Sequence, residues 1–274
     1  MKTLLTRSIS GILFVSLVVL CLLGDKGLLF ALFGLISGIG LYEFHLLFSS
    51  KERFNYPVLV SSLAGVIGFI VLIYPWFNLL ETGNNRFLHS GIHLLILIII
   101  IGFFQFIYSS KQFVSNTLII VKGIIYVVFP LFLGAVIHFE DKSSFPILLG
   151  LFLLVWTNDT FAYISGNLFG KHKLVERISP NKTWEGFFGG FLITILVGYI
   201  VDIYFLKGDF YWMIAAIIVS PAAVIGDLFE SSLKRKNKVK DTGNIMPGHG
   251  GILDRFDAMF FAIPFFYIWY ILFT

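Results

Sequence analysis

Six carboxylates stand where an apolar chain accommodates them least. Asp159 lies beside Asn158 in LLVWTNDTFAYISG, and Glu185 follows SPNKTW. Asp227 and Glu230 close an apolar run in VIGDLFESSLKR, and Asp254 and Asp257 open another in GGILDRFDAMFF. An acid within a membrane span costs about 2.5–3.5 kcal/mol on insertion scales, which makes each a functional candidate. Asp227 and Glu230 are spaced i,i+3, with Lys234 four residues further on, so a helix presents all three on one face. Asp254 and Asp257 repeat the i,i+3 spacing. Four carboxylates brought together repel one another unless protonated, and a divalent cation removes the conflict. Oxygen donors without paired histidine or cysteine suit Mg²⁺, which takes one or two carboxylates, waters and substrate phosphates. The competing reading is a salt-bridged helix end with Lys234 and Arg255 as partners; spacing alone does not separate the two.

Residues 238–257, KVKDTGNIMPGHGGILDRFD, are polar among greasy neighbours. Pro247-Gly248-His249-Gly250-Gly251 carries three glycines in four positions, which lets backbone N–H groups approach a ligand. Consecutive N–H groups form an anion-binding nest, and a following helix start adds its positive end. Lys234, Arg235, Lys236, Lys238 and Lys240 supply charge. His249 is placed to donate to a phosphate or leaving group, or else is a loop histidine bonded to backbone. In SPNKT, Ser179 reads as a helix N-cap with Pro180 at the first helical position. Lys182 and Thr183 then fall in a first turn that welcomes phosphate. Gly186 and Gly190 have the spacing of close helix packing. Glu43, His45 and Asp202 read as structural polar singletons.

These residues need a scaffold, and composition says which kind. The chain has 274 residues, 57% hydrophobic and only 13% charged, where soluble domains run near 25% charged. That excludes a water-soluble globular enzyme and predicts an all-α polytopic membrane protein. Nine apolar segments of about span length fall near 8–24, 27–48, 56–80, 88–108, 117–139, 144–169, 184–206, 210–233 and 258–274. The first two form a tight hairpin about Asp25 and Lys26. The opening segment resembles a signal peptide without a small-x-small cleavage site, so it reads as an uncleaved helix. With the N-terminus in the cytoplasm and the C-terminus outside, fifteen Lys and Arg fall inside and four (Lys26, Arg86, Lys142 and Lys207) outside, as the positive-inside rule requires. The division expected is 1–143, five spans, and 144–274, four spans with basic cytoplasmic loops 170–183 and 234–257. The single cysteine, Cys21, permits no intramolecular disulfide and no CxxC metal site. No internal repeat of the transporter kind is visible.

The stretch SSLKRKNKVKDTGNIMPGHGGILDRFD resembles the signature of the phosphatidate cytidylyltransferase, or CDP-diacylglycerol synthase, family. Ser231, Leu233, Lys234, Arg235, Lys240, Asp241, Gly243, Pro247, His249, Gly250, Gly251, Asp254, Arg255 and Asp257 fill the pattern, and Met246 stands where Leu, Ile or Phe is usual. Upstream, Asn158-Asp159 with Ala162-Tyr163, SPNKTWEG, and Gly226-Asp227 with Glu230-Ser231 match too. The likeness covers the second half; the first five spans match only as a hydrophobic pattern.

The resemblance implies that CTP and phosphatidate give CDP-diacylglycerol and pyrophosphate with Mg²⁺, and with a second, monovalent cation such as K⁺, in a homodimer of a bacterial plasma membrane with its active site on the cytoplasmic side. On it, Asp227 and Asp254 are the leading metal ligands, with Asp257, Glu230 and Asp159 behind them. Lys240, His249 and Arg255 join Asp227 and Asp254 as catalytic residues. Asn158, Ser179, Asn181, Lys182, Thr183, Lys234, Arg235, Asp241, Gly248, Gly250 and Gly251 are the substrate-binding set. No nucleic acid is expected as a partner. Two alternatives remain: a related CTP-dependent lipid kinase, which gives phospholipid and CDP, and a transporter using the acids as a cation pathway. A CDP-alcohol phosphotransferase would need a D-G-x-x-A-R motif, which is not found.

Overall fold

The computed structural model describes residues 2–48, 56–77, 85–108, 113–143, 145–206, 210–245 and 250–273. Contacts gather the chain into two compact units, Met1–Phe139 with Asp241–Arg255, and Glu140–Lys240 with Phe256–Thr274. Among the described residues, eight helices are long and apolar enough to cross a membrane, and the apolar stretch Ser10–Leu23 is shorter. The chain is an all-α polytopic membrane protein whose strands form one small hairpin.

The first unit holds α1 (Lys2–Leu23), α2 (Lys26–Phe48), α3 (Tyr56–Phe77), α4 (Asn85–Tyr108), α5 (Phe113–Gly123) and α6 (Phe129–Glu140), with a π-helical turn, Ile124–Val128, between the last two. Only Gly24 and Asp25 separate α1 from α2, so the expected hairpin is present. Helices α2 and α3 meet backbone to backbone: a Cβ on Gly65 would fall closer than 3.0 Å to the Ser37 carbonyl and the Gly38 Cα. Trp76 anchors the core edge-on to Phe87 and Phe132 at 4.9 and 5.3 Å, a favoured aromatic geometry. His45 Nδ1 bonds Ser61 Oγ, which donates to the Pro57 carbonyl; this histidine is structural, as its sequence setting indicated.

The second unit holds α7 (Ile147–Phe169), the antiparallel strands β1 (Lys173–Val175) and β2 (Ser179–Thr183), α8 (Trp184–Val201), a π-helical turn, Asp202–Leu206, and α9 (Tyr211–Lys236). Helix α10 (Leu253–Phe273) runs through the boundary at residue 255. Asp202, fully buried, accepts from the N–H groups of Trp212 (2.8 Å) and Met213 (2.9 Å). It satisfies first-turn donors of α9 that the helix cannot satisfy itself.

Gly186 and Gly190 do what their spacing suggested. A Cβ at either would approach a carbonyl of α7, Ala162 or Asn158, to 2.7 Å. Gly190→Val is therefore expected to force α7 and α8 apart, costing about 1–3 kcal/mol or more. The check is the thermal unfolding midpoint in detergent; an unchanged midpoint rejects this packing account.

Two expected boundaries are corrected. Ser179 does not cap a helix and Pro180 does not begin one. Residues 179–183 pair with 173–175 as a strand, in the register Lys173↔Thr183 and Val175↔Ser179. The cap is Thr183, whose Oγ1 accepts from the Gly186 N–H at 3.1 Å. Both residues are good caps, and the hairpin pairing decides for the later one. Likewise α10 starts at Leu253, not near 258, because side-chain carboxylates satisfy its first N–H groups.

Candidate active site

In the second unit, three separated segments of the signature meet. Lys182, from β2, pairs through Nζ with Asp227 Oδ2 of α9 at 2.6 Å. The other oxygen, Oδ1, accepts from Ser231 Oγ at 3.2 Å, one turn further along α9. Asp227 and Lys182 are about one-third and one-quarter exposed, so the pair is reachable rather than sealed. Glu230 is fully buried, and its Oε2 accepts from Lys234 Nζ at 2.9 Å.

Glycine again sets the geometry. A Cβ on Gly226 would lie 2.5 Å from the Asp257 carbonyl, so α9 and α10 touch at their backbones there. This contact puts Asp257 against the acids of α9. Its carboxyl lies within electrostatic reach of Asp227, Glu230 and Asp159. Asp227, Glu230 and Asp257, three of the four acids whose spacing suggested convergence, are thus neighbours in one region, and Asp159 of α7 joins them. Among the described residues, no three His, Cys, Asp or Glu side chains form a ready-made metal cage.

Around this cluster the other candidates divide. Arg235 is exposed and donates from Nε to the Ile178 carbonyl at 3.3 Å, which ties α9 to the hairpin. Asn181 and Lys240 are exposed, and Ser179 is half-buried. Asn158 is fully buried and accepts from Ser220 Oγ, joining α7 to α9, while its neighbour Asp159 is exposed. Glu185 accepts from the N–H groups of Lys171 (3.1 Å) and His172 (3.2 Å) and pairs with His172 Nδ1 at 2.6 Å. It closes the base of the hairpin, a role with no local sequence signal because its partners lie 13 and 14 residues away.

In the first unit the end of the glycine-rich segment is held by acids. Asp254 Oδ2 accepts from the N–H of Thr242 (2.9 Å), the hydroxyl of Thr242 (2.9 Å) and the N–H of Gly251 (2.8 Å). Glu43, in the middle of apolar α2, accepts from the N–H groups of Ile252 (3.1 Å) and Leu253 (2.9 Å) and lies 3.2 Å from Thr242 Oγ1. The Gly251 N–H, one of the donors that the 247–251 glycine pattern suggested would meet a phosphate, is thus already given to a carboxylate of the protein, as are the following N–H groups of Ile252 and Leu253. Gly250 has φ +85°, a conformation that favours glycine. Gly248 and His249 lie outside the described residues; Asp241 and Arg255 are exposed.

The pattern of the cytidylyltransferase family matches residues 5–273. This chain belongs to that family. A phosphatidate cytidylyltransferase of Haemophilus influenzae is 33% identical over 289 aligned residues, 96% of this chain and 97% of the relative. Relatives of the same name from Staphylococcus epidermidis and Staphylococcus haemolyticus are 47% and 52% identical over 135 and 116 residues. Those alignments take in 48% and 41% of this chain, and the chain spans about half the length of these relatives, 52% and 44%. The family match runs through the first five helices as well, where the signature had left only a hydrophobic pattern.

Proposed function

We propose that the protein transfers CMP from CTP to phosphatidate, giving CDP-diacylglycerol and pyrophosphate, and so serves phospholipid biosynthesis. The observation that carries this reading is the meeting of Lys182 with Asp227 and Ser231, beside Asp257. It brings a cation and carboxylates from three signature segments to one place. The names of the relatives support the same substrates.

A phosphatidate oxygen forms a bond to the α-phosphorus of CTP. The bond from that phosphorus to the α,β-bridging oxygen breaks, and pyrophosphate leaves with the electron pair. The phosphomonoester is already largely ionised near neutral pH, with a second pKa of about 6, so no strong general base is needed. What the reaction demands is charge neutralisation and alignment. Lys182, Lys234, Arg235, Lys240 and Arg255 are the proposed phosphate-binding residues, with Asn158, Ser179, Asn181, Thr183, Asp241, Gly250 and Gly251 shaping the surroundings and the 247–251 segment holding the triphosphate. His249 is proposed to assist the leaving group.

The donor set near Asp227 consists of carboxylate oxygens, which suits a hard cation. Asp227 and Asp257 are the proposed holders of Mg²⁺, with Glu230 and Asp159 supporting them; a metal role for Asp254 is a separate proposal. When bound, the ion neutralises charge on the phosphates. A monovalent cation such as K⁺ is a further proposal, as are the homodimer, the cytoplasmic N-terminus, the outside C-terminus and a bacterial plasma membrane with the site on its cytoplasmic face.

The test uses detergent-purified protein, phosphatidate, Mg²⁺ and CTP labelled on the α-phosphate, followed by lipid extraction. The expected result is label in CDP-diacylglycerol with pyrophosphate released. Label left in water as CDP beside a new phospholipid identifies a lipid kinase, and no covalent lipid product overturns the transfer reading.

A further inference from the structure

We propose that Glu43 is a positioning residue for the proposed transfer: its carboxylate is an internal anion that holds residues 242–243 against residues 251–253, and Gly243 and Gly251 are glycine to make room for it. The inference rests on the functional reading only in assigning those residues to substrate.

Glu43 is 1% exposed, on a helix whose neighbours are almost wholly apolar. A charge so placed is retained only with good partners. Its partners are the first N–H groups of α10 and the Thr242 hydroxyl, about 200 residues away in sequence. A carboxylate at a helix N-terminus accepts strong, charge-assisted bonds and meets the positive end of the helix.

The two glycines complete the fit. A Cβ on Gly243 would fall closer than 3.0 Å to Glu43 Oε1 and Cδ, and its third nearest atom, the Gly251 Cα, is at 3.3 Å. At Gly251, a Cβ would fall closer than 3.0 Å to both Glu43 oxygens and to Thr242 Oγ1. Both glycines belong to the signature, and both lie against the same carboxylate. Thr242 stands between the two acids, its Oγ1 within reach of Glu43 Oε2 and Asp254 Oδ2. A single hydroxyl proton serves only one acceptor at a time. These residues are therefore clamped by Glu43 on one side and Asp254 on the other, with Thr242 shared.

The geometry makes an asymmetric prediction. Gly243→Ala meets only Glu43 closer than 3.0 Å, with the Gly251 Cα at 3.3 Å, so Glu43→Asp, one methylene shorter, should relieve most of the clash. Gly251→Ala collides also with Thr242, so the same shortening should leave it impaired. The experiment measures CDP-diacylglycerol formation for the single and double variants in full-length purified protein, normalised to the monodisperse fraction. Gly243→Ala is expected to lose about 10- to 100-fold, and Glu43→Asp to restore at least about 5-fold of that, on the scale of lost or regained charge-assisted bonds. Equal behaviour of the two glycine variants, or no restoration, overturns the clamp.

Hydrogen exchange of the peptide covering 241–256 supplies a readout independent of turnover. Glu43→Gln is expected to speed exchange at Ile252 and Leu253 about 10-fold or more, and unchanged exchange there overturns the positioning role. If wild-type protein makes no CDP-diacylglycerol, the transfer reading fails, while the exchange result still decides the clamp.

Discussion

Asp227→Asn is expected to lower CMP transfer by about 100- to 1000-fold, the range lost when a preorganised charge is removed from a phosphoryl-transfer site. Two roles for Asp227 predict different companions to that loss. If it only orients Lys182, then Asp227→Asn loses no more than Lys182→Met, and the double variant loses no more than Lys182→Met alone, because Asp227 then acts only through Lys182. If it also holds Mg²⁺, Asp227→Asn loses more than Lys182→Met, and the half-saturating Mg²⁺ concentration rises about 10-fold or more. The second pattern is expected. Its physical ground is the company Asp227 keeps: Asp257, Glu230 and Asp159 crowd one region, while Lys182 pairs with Asp227 itself. Initial rates across a Mg²⁺ titration decide it, and an unchanged Mg²⁺ dependence removes Asp227 from the metal.

Asp254 offers a cleaner separation of charge from architecture. Asp254→Asn is expected to lose at least about 100-fold in turnover while the protein still inserts and Thr242 and Gly251 stay held. The amide oxygen of asparagine can take the place of Oδ2 and accept from Thr242 and Gly251 as the carboxylate does, but it brings no negative charge. Asp254→Ala removes both functions, so exchange at Thr242 and Gly251 is expected to accelerate in that variant alone. An active Asp254→Asn enzyme would confine Asp254 to holding the segment and take it out of the chemistry.

The architecture was largely legible because bilayer physics is blunt. Long apolar runs become helices, and Gly186, Gly190 and the Asp25 turn behave as their positions suggest. Acid spacing was legible for the same reason: i,i+3 on a helix is geometry, and it put Asp227 and Glu230 on one face before any tertiary contact was known. The proposed partners of that face were only half right. Lys234 does pair with Glu230, but the partner of Asp227 is Lys182. A hairpin brings it there, and SPNKT had read as a helix start. Two competent caps four residues apart cannot be ranked without knowing what the intervening backbone pairs with. Glu43 was legible as an anomaly, a lone acid among apolar residues, and illegible as a partner. Nothing local in α2 points to Thr242 or Leu253.

The bonds from Glu43 to Ile252 and Leu253 close separations of 209 and 210 residues. During synthesis at about 5–20 residues per second, α2 waits roughly 10–40 s after it is made before its partners exist. Contacts of such separation form late, since the intervening chain must first be ordered. The contact therefore depends on residues made near the end of synthesis: Glu43 can hold Ile252 and Leu253 only once the start of α10 exists. A chain made only as far as residue 251 has Glu43 in place and neither of its two backbone partners in α10.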